Sequence, residues 1–201
     1  MKRHRNDSSM KVLLAGATGV IGSRLVPLLV SDGYAVIGMT RSPEKVEPLR
    51  EHGANAIVCD VYDLEELGKA LRASEPDLVM HQLTDLPDDR ARIPGFADAS
   101  QRMYIEGTDN LLNAATAAGC ERIVAQSVAW KLPGKGAAAV EAHERCVMNA
   151  GGTVIRYGRF YGPGTYFESD LPPEPRIHVD EAARRTLAAI GDPRPTVVLA
   201  E

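Results

Sequence analysis

The sequence predicts an α/β fold, a doubly wound parallel sheet flanked by helices. Three observations lead there. A glycine-rich turn near the start, Gly16-Ala17-Thr18-Gly19-Val20-Ile21-Gly22, joins an apolar run to a helical pattern. Strand-like and helix-like segments then alternate to the end of the chain. The right-handed crossover rule winds such alternation into a parallel sheet covered on both faces.

The elements follow in order. Val12 to Ala15 reads as a buried strand, and Leu25, Leu28 and Leu29 mark the helix after the turn. Asp32-Gly33 stops that helix, and Tyr34 to Met39 is the second strand. Pro43 to His52 reads as a helix with proline near its start and Gly53 just past its end. Ala54 to Cys59 is a third strand. Asp63 to Ala73 follows as an amphipathic helix with Leu64, Leu67 and Leu71 on one face. Asp77 to Met80 and Arg122 to Ala125 are the fourth and fifth strands, separated by one long helix from Ala97 to Ala118. A helix from Ala137 to Ala150, a strand from Thr153 to Tyr157, a helix from Val179 to Ile190 and a short strand from Thr196 to Leu199 complete the series. Residues 1–9 read as a disordered basic leader without a signal-like apolar core, and 10–201 as one domain, with 163–178 a proline-rich loop.

The turn carries the functional signal. Gly16 takes the tight bend, Gly19 leaves room for a diphosphate against the backbone, and Gly22 lets helix and strand approach. The first-turn amides, where the helix dipole favours negative charge, then face the phosphates. Thr18, Val20 and Ile21 belong to this cradle. The bland alternative is a plain strand–turn–helix, but the flanking elements favour a dinucleotide site.

Other strand ends add to it, because ligands of doubly wound sheets lie at the carboxyl ends of the strands. The second strand ends in Thr40-Arg41-Ser42, with no acid for a ribose 2′-hydroxyl; Arg41 beside Ser42 suits a 2′-phosphate, which favours NADP over NAD. Asp60 and Val61 are placed to meet adenine, although Asp60 also suits a turn cap. His81-Gln82-Leu83-Thr84 would line the floor beside the ribose, with Gln82 and Leu83 the contacts and His81 a structural histidine.

Composition excludes several classes. The chain has 201 residues, 44% of them hydrophobic, and a net charge of −4, which leaves no nucleic-acid footprint. No apolar run approaches a membrane span. Three cysteines without CxxC spacing argue against a disulfide framework or a metal site and suit the cytoplasm.

From Met10 onward these residues resemble the short-chain dehydrogenase/reductase superfamily, in its extended or atypical branch of NAD-dependent epimerase/dehydratase-like proteins. The resemblance rests on the glycine signature, on Gly107-Thr108-Asp109-Asn110-Leu111-Leu112 with Tyr104 where an asparagine is usual, and on Ile177-His178-Val179-Asp180. It implies a Rossmann-type fold and a catalytic serine at Ser127. It also implies a nicotinamide-side turn at Arg156 to Pro163, including Tyr157, Gly158 and Phe160, with Tyr157 replacing a proline. Pairing into a homodimer through the Ala97–Ala118 helix is a further implication.

One departure stands out. The family's Tyr-x-x-x-Lys pair falls on Gly136 and Val140, and neither can donate a proton. Ser127 and Tyr161 are then the expected groups to polarise an acceptor, with Tyr166, Trp130 and Lys131 nearby. The region after Pro163 also predicts a reduced substrate region. The leading expectation is an NADP-dependent oxidoreductase, or an epimerase-like enzyme, acting on a small organic substrate. The alternative is a non-catalytic dinucleotide-binding redox sensor or regulator.

Overall fold

The computed structural model describes residues 9–201; the leader expected over residues 1–9 lies, but for Ser9, outside them. Seven parallel strands form the main sheet: β1 (Lys11–Ala15), β2 (Ala35–Thr40), β3 (Asn55–Val58), β4 (Leu78–His81), β5 (Ile123–Val128), β6 (Thr153–Tyr157) and β9 (Thr196–Leu199). Their order is β3-β2-β1-β4-β5-β6-β9. The chain runs one way from β1 to β3 and then returns past β1 to β4. That reversal opens a crevice at the carboxyl ends of β1 and β4.

One face is covered by α1 (Gly22–Ser31), α2 (Val46–Glu51) and α7 (Val179–Ala189), whose Leu25, Leu29, Leu49 and Ala183 pack on Val12, Leu14, Met80 and Ile155. The other carries α3 (Leu64–Ser74), α5 (Thr108–Ala117) and α6 (Gly134–Asn149), with Leu67, Leu71, Leu111 and Val147 against Leu13, Val79 and Ala125. Neighbouring residues of one strand serve opposite cores, as the period of two requires.

Local chemistry sets the ends. Asp63 caps α3 by accepting from the Glu66 amide at 3.1 Å, and His178 caps α7 through the Asp180 amide. Gly33, at φ +88°, turns the chain out of α1.

Three expectations need correction. The segment Ala97 to Ala118 is not one regular helix: α4 (Ala97–Arg102) passes through a π-helical turn at Met103–Gly107 before α5 begins. The extra residue rotates Thr108 into the core, and Gly107 makes room, since a Cβ there would lie 2.6 Å from the Met103 Sδ. The proline-rich loop is shorter than expected, because Arg176–His178 (β8) pairs in parallel with Arg159–Tyr161 (β7). Helix α6 starts at Gly134, three residues earlier than expected, with Pro133 at its N-cap.

Candidate functional site

The glycine turn is an open cradle. Gly19, Ser23 and Arg24 donate their amides within the turn, whereas those of Val20, Ile21 and Gly22 have no acceptor among the described residues. No side chain caps α1 and its first turn holds no acid, so the positive end of the helix faces outward. The three glycines do different work. Gly16, at φ +85°, has no room for a Cβ, which would lie 2.6 Å from the Gln82 carbonyl oxygen. A Cβ on Gly22 would lie 2.1 Å from the Gly16 oxygen. At Gly19 the nearest atom would be 3.4 Å away, so its bare backbone faces free space, not a neighbour. Val20, at the tip, is 40% exposed, and Ile21 is buried beneath it.

The ends of β2, β3 and β4 are equally well defined. The Thr18 and Thr40 hydroxyls meet at 3.2 Å, and the Thr40 hydroxyl accepts from the Ser42 amide. Arg41 reaches across the crevice from β2 to Asp85, 2.8 Å away, and Asp85 also accepts from the Tyr62 hydroxyl. Asp60 is exposed and makes the turn cap by accepting from the Tyr62 amide; Val61 is buried and accepts from Asn110 through its carbonyl. Gln82 is 4% exposed, and its amide group lies beside the Tyr157 phenol without a bond of good geometry to any group. Buried amides are rarely left so, and this one belongs to the residue whose backbone lies against Gly16. Leu83, half-buried, accepts from the Gln126 amide.

A buried polar chain ties β4 to β5. The Leu83 amide donates to His81 Nδ1, so the His81 proton sits on Nε2 and is donated to Thr108 Oγ1 at 3.1 Å. The Gln126 carbonyl accepts from His143 Nε2, which leaves His143 Nδ1 to accept the Thr108 hydroxyl proton at 2.7 Å. The arrangement requires two neutral rings. Burial, and secondarily His143, lowers the His81 pKa to about 3; burial also lowers that of His143. Tyr104, on the π turn, sets its ring edge-on to His143 at 5.3 Å. Burial, then the Glu144 charge, pushes its phenol up to about 12.

The expected hydroxyls are engaged elsewhere. Ser127 has no exposed surface and donates to Glu144 Oε1 at 2.6 Å. Burial resists ionisation of Glu144, but bonds from Arg156 and Ser127 outweigh it and hold the carboxyl below its usual range. Ser127 shares a face with Ile123 and Ala125, so it points at α6 and is not free to polarise an acceptor. The Tyr157 side chain is likewise buried, bonded to Thr186 at 2.7 Å on the opposite face; it does not offer a phenol to a ligand. Tyr161 bonds Glu201 at 3.0 Å. Phe160 packs on Tyr157 at 5.1 Å, and Gly158 lets β6 pass Arg176, whose backbone a Cβ would approach to 2.7 Å. Gly136 and Val140 leave α6 without phenol or ammonium where the resemblance expected them.

Two segments roof the strand ends beyond Ser127. Tyr166 donates to the Pro87 carbonyl, and Arg90 stacks on Phe167 at 4.2 Å, which joins the loop after β7 to the segment after β4. Arg24 of α1 donates to Asp180, to the Val20 carbonyl and to the Pro163 carbonyl, fixing that loop to the glycine turn. Tyr104, Gln126 and this roof escaped the sequence reading, and only Tyr104 carried a signal, as a tyrosine in an asparagine position.

Parallel-sheet order, uncapped turn and orphaned amide together define an α/β protein whose switch-point crevice fits a dinucleotide. A model of the NAD-dependent epimerase/dehydratase family matches residues 12–130, and the chain belongs to that family. It is 34% identical to a 3-diazoavenalumate denitrifying reductase from a Streptomyces species, over 90% of this chain and 72% of that protein. The chain spans 24% to 35% of the length of three further relatives. In fold it is similar to a UDP-glucose 4-epimerase from Thermus thermophilus solved with NAD (TM-score 0.78, 19% identity, 95% of this chain and 78% of that one). It is also similar to a short chain dehydrogenase from Burkholderia cenocepacia J2315 solved with NADP (TM-score 0.76, 20% identity, 96% and 89%). No described helix is long and apolar enough to cross a membrane, and no described cluster of His, Cys, Asp or Glu suits a metal.

Proposed function

We propose that the protein is an NADP(H)-dependent reductase of a small organic acceptor that needs no proton from a Tyr-x-x-x-Lys pair. The observation that carries this reading is an open phosphate cradle beside a helix holding Gly136 and Val140. The free amides of Val20, Ile21 and Gly22, with Thr18 and the bare backbone of Gly19 beside them, hold the diphosphate, and Arg41 with Ser42 holds the 2′-phosphate. Asp60 and Val61 flank adenine, Gln82 and Leu83 the ribose, and Gly158 and Phe160 border the nicotinamide end. The Arg41–Asp85 pair is no obstacle. Arg41 is 61% exposed, Asp85 keeps the Tyr62 hydroxyl when the guanidinium turns away, and a phosphate offers that guanidinium a stronger, bidentate partner.

When bound, a reduced nicotinamide supplies hydride. An aldehyde or ketone needs a proton at oxygen as hydride arrives, the task of the missing pair. An arenediazonium ion does not. Hydride adds to its terminal nitrogen, the C–N bond then breaks, dinitrogen leaves, and the hydrogen of the diazene ends on the ring carbon. The Streptomyces relative is named for a diazo substrate and for loss of nitrogen, which supports this class.

The test is NADPH oxidation by purified protein with an arenediazonium, an aldehyde and a quinone, each against its uncatalysed rate. The expected result is catalysed arene formation from the diazonium alone, and a larger loss of affinity for NADPH than for NADH in Arg41→Ala. Turnover of the aldehyde at comparable rate would overturn the acceptor class. The engagement of Ser127 and Tyr161 favours one second reading, a redox sensor, which saturable NADPH binding without turnover would establish. The reading places the protein in the cytoplasm, where its three free cysteines stay reduced. It includes a homodimer through the Ala97–Ala118 surface, where Ile105 is 40% exposed; sedimentation tests it.

A further inference from the structure

We infer that Arg159 and Trp130 form the anchoring subsite for a carboxylate on the substrate. The inference deepens the reductase reading and rests on it. Both residues stand just past the carboxyl ends of adjacent strands, Trp130 two residues beyond β5 and Arg159 two beyond β6. The Arg159 guanidinium carbon lies 4.6 Å from the centre of the Trp130 ring. Its Nη1 donates to the Pro173 and Glu174 carbonyls, at 3.3 and 3.0 Å. No carboxylate pairs with it among the described residues.

Arg24, Arg156 and Arg176, also half-buried, each pair with a carboxylate, whereas Arg159 and Arg185 meet only backbone carbonyls, and of these two only Arg159 lies on an aromatic face. The acid next to Arg159 along the loop, Glu174, is paired with Arg176. A half-buried guanidinium held on an aromatic face, with Nε and Nη2 unspent, keeps two donors in the fork geometry that fits a planar carboxylate. Lys131, exposed beside Trp130, adds a second positive charge. The Trp130 ring gives an apolar body something to pack on, so the ligand class is a small organic acid with an apolar or aromatic frame.

The chain has one tryptophan, at this site, so its fluorescence reports occupancy without any turnover. The protein saturated with NADP⁺ is titrated with 3-phenylpropionate, with 3-phenylpropionamide as the uncharged match and UDP as a diphosphate contrast. Calorimetry repeats each titration, and thermal melts confirm that the variants fold. The expected result is a saturable response to the acid, at least tenfold weaker for the amide and for Arg159→Gln, and intermediate for Arg159→Lys, which keeps the charge but loses the fork. Equal affinity for acid and amide, an unchanged constant in Arg159→Gln, tighter binding of UDP, or no signal by either method would overturn the inference. Acid binding in a protein that oxidises no NADPH would defeat the reductase reading alone.

Discussion

The two neutral histidines should make the fold sensitive to mild acid. His81 is held with a pKa of about 3, because burial and the His143 ring disfavour its cation and the Leu83 amide occupies Nδ1. In the unfolded chain the same ring titrates near pH 6.5. Between those values the unfolded state binds more protons, so the stability from His81 is complete above about pH 6.5 and declines as pH falls. Acidification from about pH 7.5 to about pH 5.5 should therefore cost about 1.3 kcal/mol for this ring, or a Tm drop of about 3–5 °C in a chain of this length. The size is set by the unfolded-state pKa, so it does not depend on how deep the depression in the fold runs. The assay is urea denaturation at both pH values, followed by circular dichroism, for the wild type and for His81→Asn. Carboxylates contribute to both proteins and cancel, leaving a wild-type acid loss larger by about 1.3 kcal/mol. Equal losses, or a folded-state NMR titration of His81 near its ordinary value, would refute the reasoning.

Other outcomes follow from the same structure. Gly22→Ala, whose Cβ would lie 2.1 Å from the Gly16 oxygen, should cost about 2–3 kcal/mol in denaturant melts. Gly19→Ala should keep stability within about 0.5 kcal/mol, yet weaken NADPH binding roughly tenfold, about 1.4 kcal/mol, by fluorescence titration. Tyr157→Phe removes the bond to Thr186 and should cost about 1 kcal/mol while leaving the NADPH dissociation constant unchanged. Ser127→Ala deprives buried Glu144 of a donor and should cost about 1–3 kcal/mol. Turnover per folded molecule should stay the same, and its collapse in a folded variant would return Ser127 to the chemistry.

The strands were legible where several apolar residues stand together, as at Val12 to Ala15, and where glycine punctuates a helix end, as at Gly33 and Gly151. Three-residue strands such as β7 and β8 have too few positions to show a period, so they passed for loop. The π turn was hidden because one inserted residue hardly disturbs the apolar stripe of Met103, Leu111, Leu112 and Ala115. The directions of Ser127 and Tyr157 were within reach. Counting by two from Ile123 sends Ser127 toward α6, and counting by two from Ile155 sends Tyr157 into the core. The resemblance to a catalytic pattern masked that arithmetic. Nothing local could reveal that Arg41 meets Asp85 or that Arg159 lies on Trp130, because those contacts span strands brought together only by the whole sheet.

The bonds of Arg24 make one bolt through three plates. A single guanidinium pins the nucleotide turn, the start of the last long helix and the covering loop, segments up to 156 positions apart. The turn and its cover therefore share one anchor, and a chain without it would hold each only by its own local bonds.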